Sequence, residues 1–217
     1  MNKIKQIDEV MEYIKDGMTI MIGGFMGVGT PESFIDEIVK SSVKNLTIIS
    51  NDTGYPDKGI GKLVMNKQVK KVIASHIGLN PETGRQMNNK EILVELVPQG
   101  TLAEQIRCGG SGIGGFLTET GVGTIVEYGK QKIKILDKEY LLELPLRADV
   151  ALIRGSIVDK QGNTFYNGAT RNFNPLMAAA ADVVIVGAEK IVETGELDPN
   201  NVMTPGIFVD YIVGGEK

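Results

Sequence analysis

Asp16-Gly17-Met18-Thr19-Ile20-Met21-Ile22-Gly23-Gly24-Phe25-Met26-Gly27-Val28-Gly29-Thr30-Pro31 is the stretch on which the reading of this chain turns. Met18 to Ile22 is a short apolar run, the pattern of a strand buried on both faces. Four glycines then fall within the seven residues Gly23 to Gly29. Thr30-Pro31-Glu32 reads as a helix start: Thr30 is an acceptable N-cap, Pro31 suits the first helical position, and Glu32 complements the positive helix end. Phe34, Ile35, Ile38 and Val39 supply that helix with a buried face. A strand, a glycine-rich turn and a helix N-terminus together present amide N–H groups to an anion and let a ligand approach the backbone closely. A plain turn using glycine for positive φ is the alternative, but four glycines exceed what one turn needs. The loop is not a P-loop, because no Gly-Lys-Ser or Gly-Lys-Thr follows. Nor is it the dinucleotide fingerprint, because Glu32 stands where the third glycine would be.

Working outward, Ile4, Ile7, Val10, Met11 and Ile14 recur at helical spacing and stop at Gly17. On the other side, Leu46–Ile49, Val69–Ala74 and Ile92–Val97 read as strands. Each is followed by a polar or small-residue loop: Ser50 to Gly54, Ser75 to Gly78, and Pro98-Gln99-Gly100. Thr101 caps a helix through Ile106. Seven glycines between Gly109 and Gly123 imply a long, mobile loop. Lys132 to Leu144 alternates around Asp137-Lys138, a β-hairpin signal. Val150–Ile153 and Val183–Val186 resume the sheet, with a helix over Pro175–Ala181 between them. The expected fold is α/β: an open, largely parallel sheet flanked by helices in three layers (α/β/α), with a small β-hairpin excursion, as a single domain over residues 1–217. Parallel strands put the glycine loop and the Asn51, His76 and Gln99 loops on one sheet edge, the edge where open α/β sheets bind ligands.

The balance of 23 basic and 27 acidic residues gives a net charge of −4. With no basic run, no nucleic-acid or anionic-membrane partner is expected. No segment approaches a membrane span. Cys108 is the only cysteine, so no disulfide can form within the chain, which fits a cytoplasmic location. His76 is the only histidine, and Cys108 and His76 lack the spacing of metal ligands. Neither has an assignable catalytic partner, so both read as structural. Gly110-Ser111-Gly112-Ile113-Gly114-Gly115 matches G-x-G-x-x-G, but a helix precedes it and it reads as a flexible cover. Asn51 and Gln99 are neutral amides at strand ends, able to donate to a carboxylate or an oxyanion or to serve as plain turn residues. Arg107, Arg147, Arg154 and Arg171 are candidate phosphate contacts.

The Asp16–Pro31 stretch resembles the N-terminal signature of family I coenzyme A-transferases. That signature is Asp or Asn, then Gly, two free positions, three apolar residues, Gly-Gly-Phe and a later Gly-x-Pro. The resemblance continues through Val72–Gly78, Pro98–Arg107 and Ala169–Asn174, and is nearest to the α subunits of bacterial acetate, butyrate and acetoacetate transferases. It implies coenzyme A as substrate, no permanently bound cofactor and no metal. It also implies a heterodimer or α2β2 assembly with a β subunit, acting on acyl-CoA and short-chain carboxylic acids by a ping-pong route through a glutamyl-CoA thioester. The Glu-Asn-Gly or Glu-Ser-Gly setting of the family's nucleophile is absent, so that glutamate is expected on the β subunit. By the same resemblance, Gly23, Gly24, Phe25, Met26, Gly27, Val28 and Gly29 form the coenzyme A-associated loop, with Asn51 and Gln99 supporting the chemistry. A non-catalytic ligand-sensing domain and a sugar-phosphate isomerase are the alternatives on a related sheet.

Overall fold

The computed structural model describes residues 2–216. Strands β1 (Thr19–Ile22), β2 (Leu46–Ile49), β3 (Val69–Ala74) and β4 (Leu93–Leu96) alternate with helices α2 (Glu32–Lys40), α3 (Ile60–Met65) and α4 (Pro81–Asn88); a short helix α1 (Ile7–Val10) precedes them. Helix α5 (Gln99–Ser111) leads into β5 (Phe116–Thr118), β6 (Lys132–Ile135) and β7 (Lys138–Glu143). Then come β8 (Ala148–Asp159), β9 (Thr164–Phe165), α6 (Asn174–Ala179), β10 (Ala181–Val192) and β11 (Tyr211–Gly214). The main sheet runs β11-β10-β8-β1-β2-β3-β4 with every neighbouring pair parallel, and β9 adds antiparallel to β8. The expected hairpin is β6–β7, which β5 extends into a separate three-stranded antiparallel sheet.

The period-2 geometry of strands divides the interior into two cores. Ile20, Ile22, Ile48, Val72, Val150 and Leu152 point to one face, where Phe34, Ile35 and Ile38 of α2 and Leu63 and Val64 of α3 cover them. Met21, Ile49, Ile73, Ala151 and Ile153 point to the other, against Leu102 and Ile106 of α5 and Met177 of α6. Strands buried on both faces must be apolar at consecutive positions, which is why they read as unbroken apolar runs.

Several local expectations shift. The first helix is only one turn plus a 3-10 turn at Met11–Tyr13, because Ile4 instead pairs alongside Ile212 at the β11 edge. Sheet pairing there overrides the helical spacing of the apolar residues. Helix α2 starts one residue late, with Pro31 rather than Thr30 at the N-cap. Helices α3 and α4 lie in segments left unassigned, although Asn80-Pro81-Glu82 carries a start signal: Asn80 accepts from the amides of Glu82 and Thr83.

The largest correction concerns Gly109 to Gly123. Helix α5 begins at Gln99, contains Thr101 rather than being capped by it, and runs through Gly109 and Gly110 to a left-handed Gly112. These helical glycines answer to contact rather than mobility. A Cβ on Gly109 would lie 1.9 Å from the Leu146 carbonyl oxygen, and one on Gly110 would lie 2.8 Å from Ala179 Cβ. The antiparallel sheet is tied to the same helix through Glu143, which is 2% exposed and accepts from Gln105 at 2.9 Å and Lys130 at 2.5 Å.

Gly109→Ala is therefore expected to destabilise the fold by about 1–3 kcal/mol through overpacking against fixed backbone. Gly84→Ala in α4, where a Cβ meets nothing within 4 Å, should leave stability unchanged or raise it by up to ~1 kcal/mol. Thermal melting of the two variants side by side reads the contrast, and equal midpoints would contradict the close approach at Leu146.

Candidate functional site

The chain moves from β1 to β4 in one direction across the sheet, then returns to place β8 on the other side of β1. The direction reverses beside β1, and a crevice opens at the carboxyl ends of strands where that happens. The loop from Gly23 to Thr30 leaves β1 into this crevice. Its first amide continues the strand, Gly23 N–H donating to the Leu152 carbonyl at 3.0 Å.

The loop is pressed against the segment that enters α6. Asn174 is fully buried; its Nδ2 donates to the carbonyls of Gly29 at 3.0 Å and Thr170 at 2.7 Å, and its Oδ1 accepts the Arg154 amide at 3.2 Å. A Cβ on Gly23 would sit 1.7 Å from that Oδ1, and one on Gly24 would sit 1.9 Å from Thr30 Oγ1. Gly24 N–H donates to Asn172 Oδ1 at 3.0 Å, and Asn172 Nδ2 reaches the Val28 carbonyl at 3.1 Å. Phe25 and Val28 exchange two 2.9 Å backbone bonds that close the loop into a tight hairpin. Gly23, Gly24 and Gly29 thus satisfy close packing of the loop backbone on its neighbours, while Gly27 supplies the positive φ of the hairpin tip.

The loop offers an anion fewer amides than its sequence suggests. Gly23, Gly24, Phe25, Met26 and Val28 all donate within the protein. Among the described residues, Gly27 and Gly29 are the loop positions whose N–H has no acceptor, and only Gly27 is accessible. The α2 N-terminus is occupied as well. Glu216, 5% exposed, accepts the Ser33 amide at 3.2 Å and the Ser33 hydroxyl. An internal carboxylate holds the place that helix polarity would offer to a phosphate.

What the loop does present is apolar. Phe25, Met26 and Val28 are 45%, 42% and 49% exposed. With Ala169 and Phe173 they form the apolar walls of an open groove of about 620 Å³. Its polar lining is three amides, Asn51, Gln99 and Asn172. A hydrogen-bonded run crosses four strand ends to reach them. Ser75 after β3 bonds Gln99 Oε1, Gln99 Nε2 donates to Asn51 Oδ1 at 2.6 Å, and Asn51 Nδ2 donates to the Gly24 carbonyl at 2.7 Å. Asn51 is 1% exposed and braces the loop, whereas Gln99 is exposed and has a second amide proton free to donate.

Among the described residues no ionisable side chain lines the groove. His76 is exposed and stands outside the lining, and Cys108 is buried in α5. Burial pushes the Tyr166 hydroxyl well above the ordinary tyrosine range, and its 2.7 Å bond to Thr204 turns it inward. Of the candidate arginines, Arg107 pairs with Glu104, Arg147 with Asp182 and Arg154 with Glu189, each at 2.8 Å. Arg171, exposed and adjacent to Asn172, has no carboxylate partner among the described residues. Among these residues no group of three or more His, Cys, Asp or Glu side chains is placed to hold a metal ion, and no helix is long and apolar enough to cross a membrane.

The structure therefore gathers Phe25, Met26, Val28, Asn51 and Gln99 at one groove, with Gly23, Gly24, Gly27 and Gly29 shaping its wall. Sequence reasoning passed over Ser75 and gave no role to Ala169, Asn172 or Phe173. The last three sit in the Ala169–Asn174 stretch, whose alternation of Asn with Phe was the available signal.

The sheet is doubly wound, and its switch-point groove is apolar-walled, amide-lined and, among the described residues, free of acids and bases. A family model described as Coenzyme A transferase matches residues 4–215, and the chain belongs to that family. It is 61% identical over 212 residues, covering 98% of this chain and 97% of its relative, to the acetoacetyl-CoA:acetate/butyrate CoA transferase alpha subunit of Clostridium acetobutylicum. It is 56% identical over 215 residues, covering 99% and 98%, to the acetate CoA-transferase subunit alpha of Escherichia coli K12. Among solved structures, an acyl-CoA transferase of E. coli O157:H7, in thioester complex with CoA, superposes with a TM-score of 0.85 at 24% identity. That match covers 99% of this chain and 47% of the longer one.

Replacing Gly23 by Ala should be far more damaging than replacing Gly27. The first sets a methyl group 1.7 Å from a buried amide oxygen, while the second meets nothing within 4 Å and carries only the strain of φ +84°, about 1–2 kcal/mol. Melting temperatures of the two variants test the order.

Proposed function

We propose that this chain is the α subunit of a coenzyme A-transferase that moves coenzyme A from a short-chain acyl-CoA to a free carboxylic acid of the acetate, butyrate or acetoacetate type. The observation that carries the reading is the groove's lack of any acid, base or nucleophile. Acyl transfer from a thioester needs an attacking group, and on this reading a β subunit supplies it as a glutamate carboxylate. The carboxylate adds to the thioester carbonyl and expels coenzyme A as its thiolate, leaving a mixed anhydride. The thiolate attacks the glutamyl carbonyl, releases the first acid and forms a glutamyl-CoA thioester. The second acid then runs the same steps in reverse. Each attack builds negative charge on a carbonyl oxygen. The free amide proton of Gln99 supplies a preorganised neutral donor for it, and Asn51 fixes both Gln99 and the loop.

The two relatives, an acetate/butyrate and an acetate transferase, support the choice of acids. A sugar-phosphate isomerase would need an acid or base in the groove, and none lines it. We further propose that the chain works as one unit over residues 1–217 in the cytoplasm, in a heterodimer or α2β2 complex. Coenzyme A acts there as substrate, with no resident cofactor.

Co-expression with a β chain, addition of acyl-CoA, trapping with borohydride or hydroxylamine and mass spectrometry of both chains test the proposal. The label belongs on a glutamate of the partner; activity from the isolated chain, or label on Cys108, overturns it. In the complex, Gln99→Ala is expected to lower kcat about 100- to 1000-fold, ~2.7–4 kcal/mol of transition-state stabilisation. An unchanged kcat would remove Gln99 from the chemistry.

A further inference from the structure

Asp52 takes no part in the steps above, yet it is a buried carboxylate, 5% exposed, directly behind the groove. Its Oδ2 accepts the Met26 amide at 2.8 Å, and its Oδ1 accepts the Gly54 amide at 2.7 Å. Ser50 Oγ donates to the Asp52 main-chain carbonyl at 2.8 Å, fixing the backbone from which the carboxylate projects. Among the described residues no cation pairs with it. A carboxylate so placed is costly to bury unless it is hydrogen-bonded, and here each of its oxygens accepts one backbone amide.

Met26 is the other half of the observation. It holds φ +52°, a left-handed conformation unfavourable for a residue with a side chain. Its neighbour Gly27, at φ +84°, occupies the same region without strain. The two-residue hairpin closed by Phe25 and Val28 requires positive φ at both Met26 and Gly27, and the Asp52 bond to the Met26 amide is the contact outside the turn that helps to hold the non-glycine residue there. The conformation places Met26 at the groove, 42% exposed, beside Phe25 and Val28.

We propose that Asp52 is a positioning residue for the acyl-CoA site, acting through Met26: it braces the left-handed turn that carries Met26, so that the Met26 side chain forms part of the groove wall. The proposal rests on reading the groove as the acyl-CoA site. The two-amide geometry demands a carboxylate. An asparagine has one terminal acceptor and one terminal donor, so Asp52→Asn must set an NH2 group against either the Met26 or the Gly54 amide.

The test uses the complex of this chain with its β partner and acetyl-CoA as probe. Asp52→Asn, Met26→Ala and the double variant are compared by steady-state kinetics, each with a thermal melt. If Asp52 acts through Met26, each single change raises KM for acetyl-CoA by about 5- to 20-fold with a smaller effect on kcat, and the double variant is no worse than the poorer single one. Losses that multiply in the double variant overturn the proposal, because they mean Asp52 supports the loop in general. An unchanged KM in Met26→Ala overturns it whether or not Asp52→Asn assembles.

A second readout needs no turnover. Met26 is accessible enough for peroxide to convert it to the sulfoxide, scored by mass spectrometry. Acetyl-CoA should slow that oxidation in the unaltered complex and not in Asp52→Asn; no protection in the unaltered complex overturns the proposal. Protection of Met26 in a complex that transfers no coenzyme A would sink the assigned activity while leaving the role of Asp52 standing.

Discussion

The close approach of Asn174 to Gly23 governs the site. One side-chain amide, fully buried, is bonded to Gly29, to Thr170 and to the Arg154 amide of β8. It thereby ties together the loop after β1, the middle of β8 and the entry to α6. Those are the elements on either side of the switch point, and they meet because the chain has run out to β4 and come back. The approach leaves no room for a side chain at Gly23 or Gly24, so glycine is required there for space before any ligand is considered. Once the base of the loop is clamped, its tip from Phe25 to Val28 must project into the crevice.

This changes what a glycine-rich loop does here. In phosphate-binding loops, amides point at the ligand and a helix N-terminus adds its potential. In this chain most loop amides are bonded to other parts of the protein, and Glu216 occupies the first turn of α2. The loop is a rigid apolar wall, and its glycines allow it to be rigid. A wall of Phe25, Met26 and Val28 suits the uncharged part of a ligand, leaving the free amide proton of Gln99 as the polar donor, since Asn51 and Asn172 spend their amide groups on the protein itself. Neutral donors have a specific merit beside an attacking carboxylate. A cation would favour the charged ground state of that carboxylate by Coulomb attraction and hold it back. An amide gains most when charge moves to the carbonyl oxygen it faces.

The fold was legible from Ile20–Met21–Ile22, Leu46–Ile49 and Val69–Ala74. Strands covered on both faces announce themselves as apolar runs, and their cores divide by simple alternation. The glycine loop, Asn51 and Gln99 were legible as strand-end residues once the strands were parallel. What escaped was set by distant contacts. Gly109 and Gly110 looked like loop residues because their reason for being glycine, Leu146 and Ala179, lies more than thirty residues away in sequence. Ile4 looked helical because its pairing with Ile212 spans nearly the whole chain. The capture of Ser33 by Glu216 is of the same kind: nothing near Thr30-Pro31-Glu32 signals that the helix start is already occupied.

The openness of the groove bears on why two chains would share one reaction. Catalysis by oriented dipoles is strongest where water is excluded, since water competes for the same carbonyl oxygen and raises the local dielectric. This groove holds about 620 Å³ and leaves Phe25, Met26 and Val28 nearly half exposed. Three apolar side chains at the mouth of an open groove are an unfavourable surface in a lone chain and a favourable one beneath a cover. If the attacking carboxylate arrives on a partner, the surface that carries it also closes the groove. Assembly then supplies the nucleophile and the low-dielectric setting together, and an unassembled α chain has neither, which protects acyl-CoA from unproductive hydrolysis. On that logic the lack of ionisable groups in this half-site is a constraint of the mechanism: an acid or base of its own would give the open groove a chemistry that only the closed one should have.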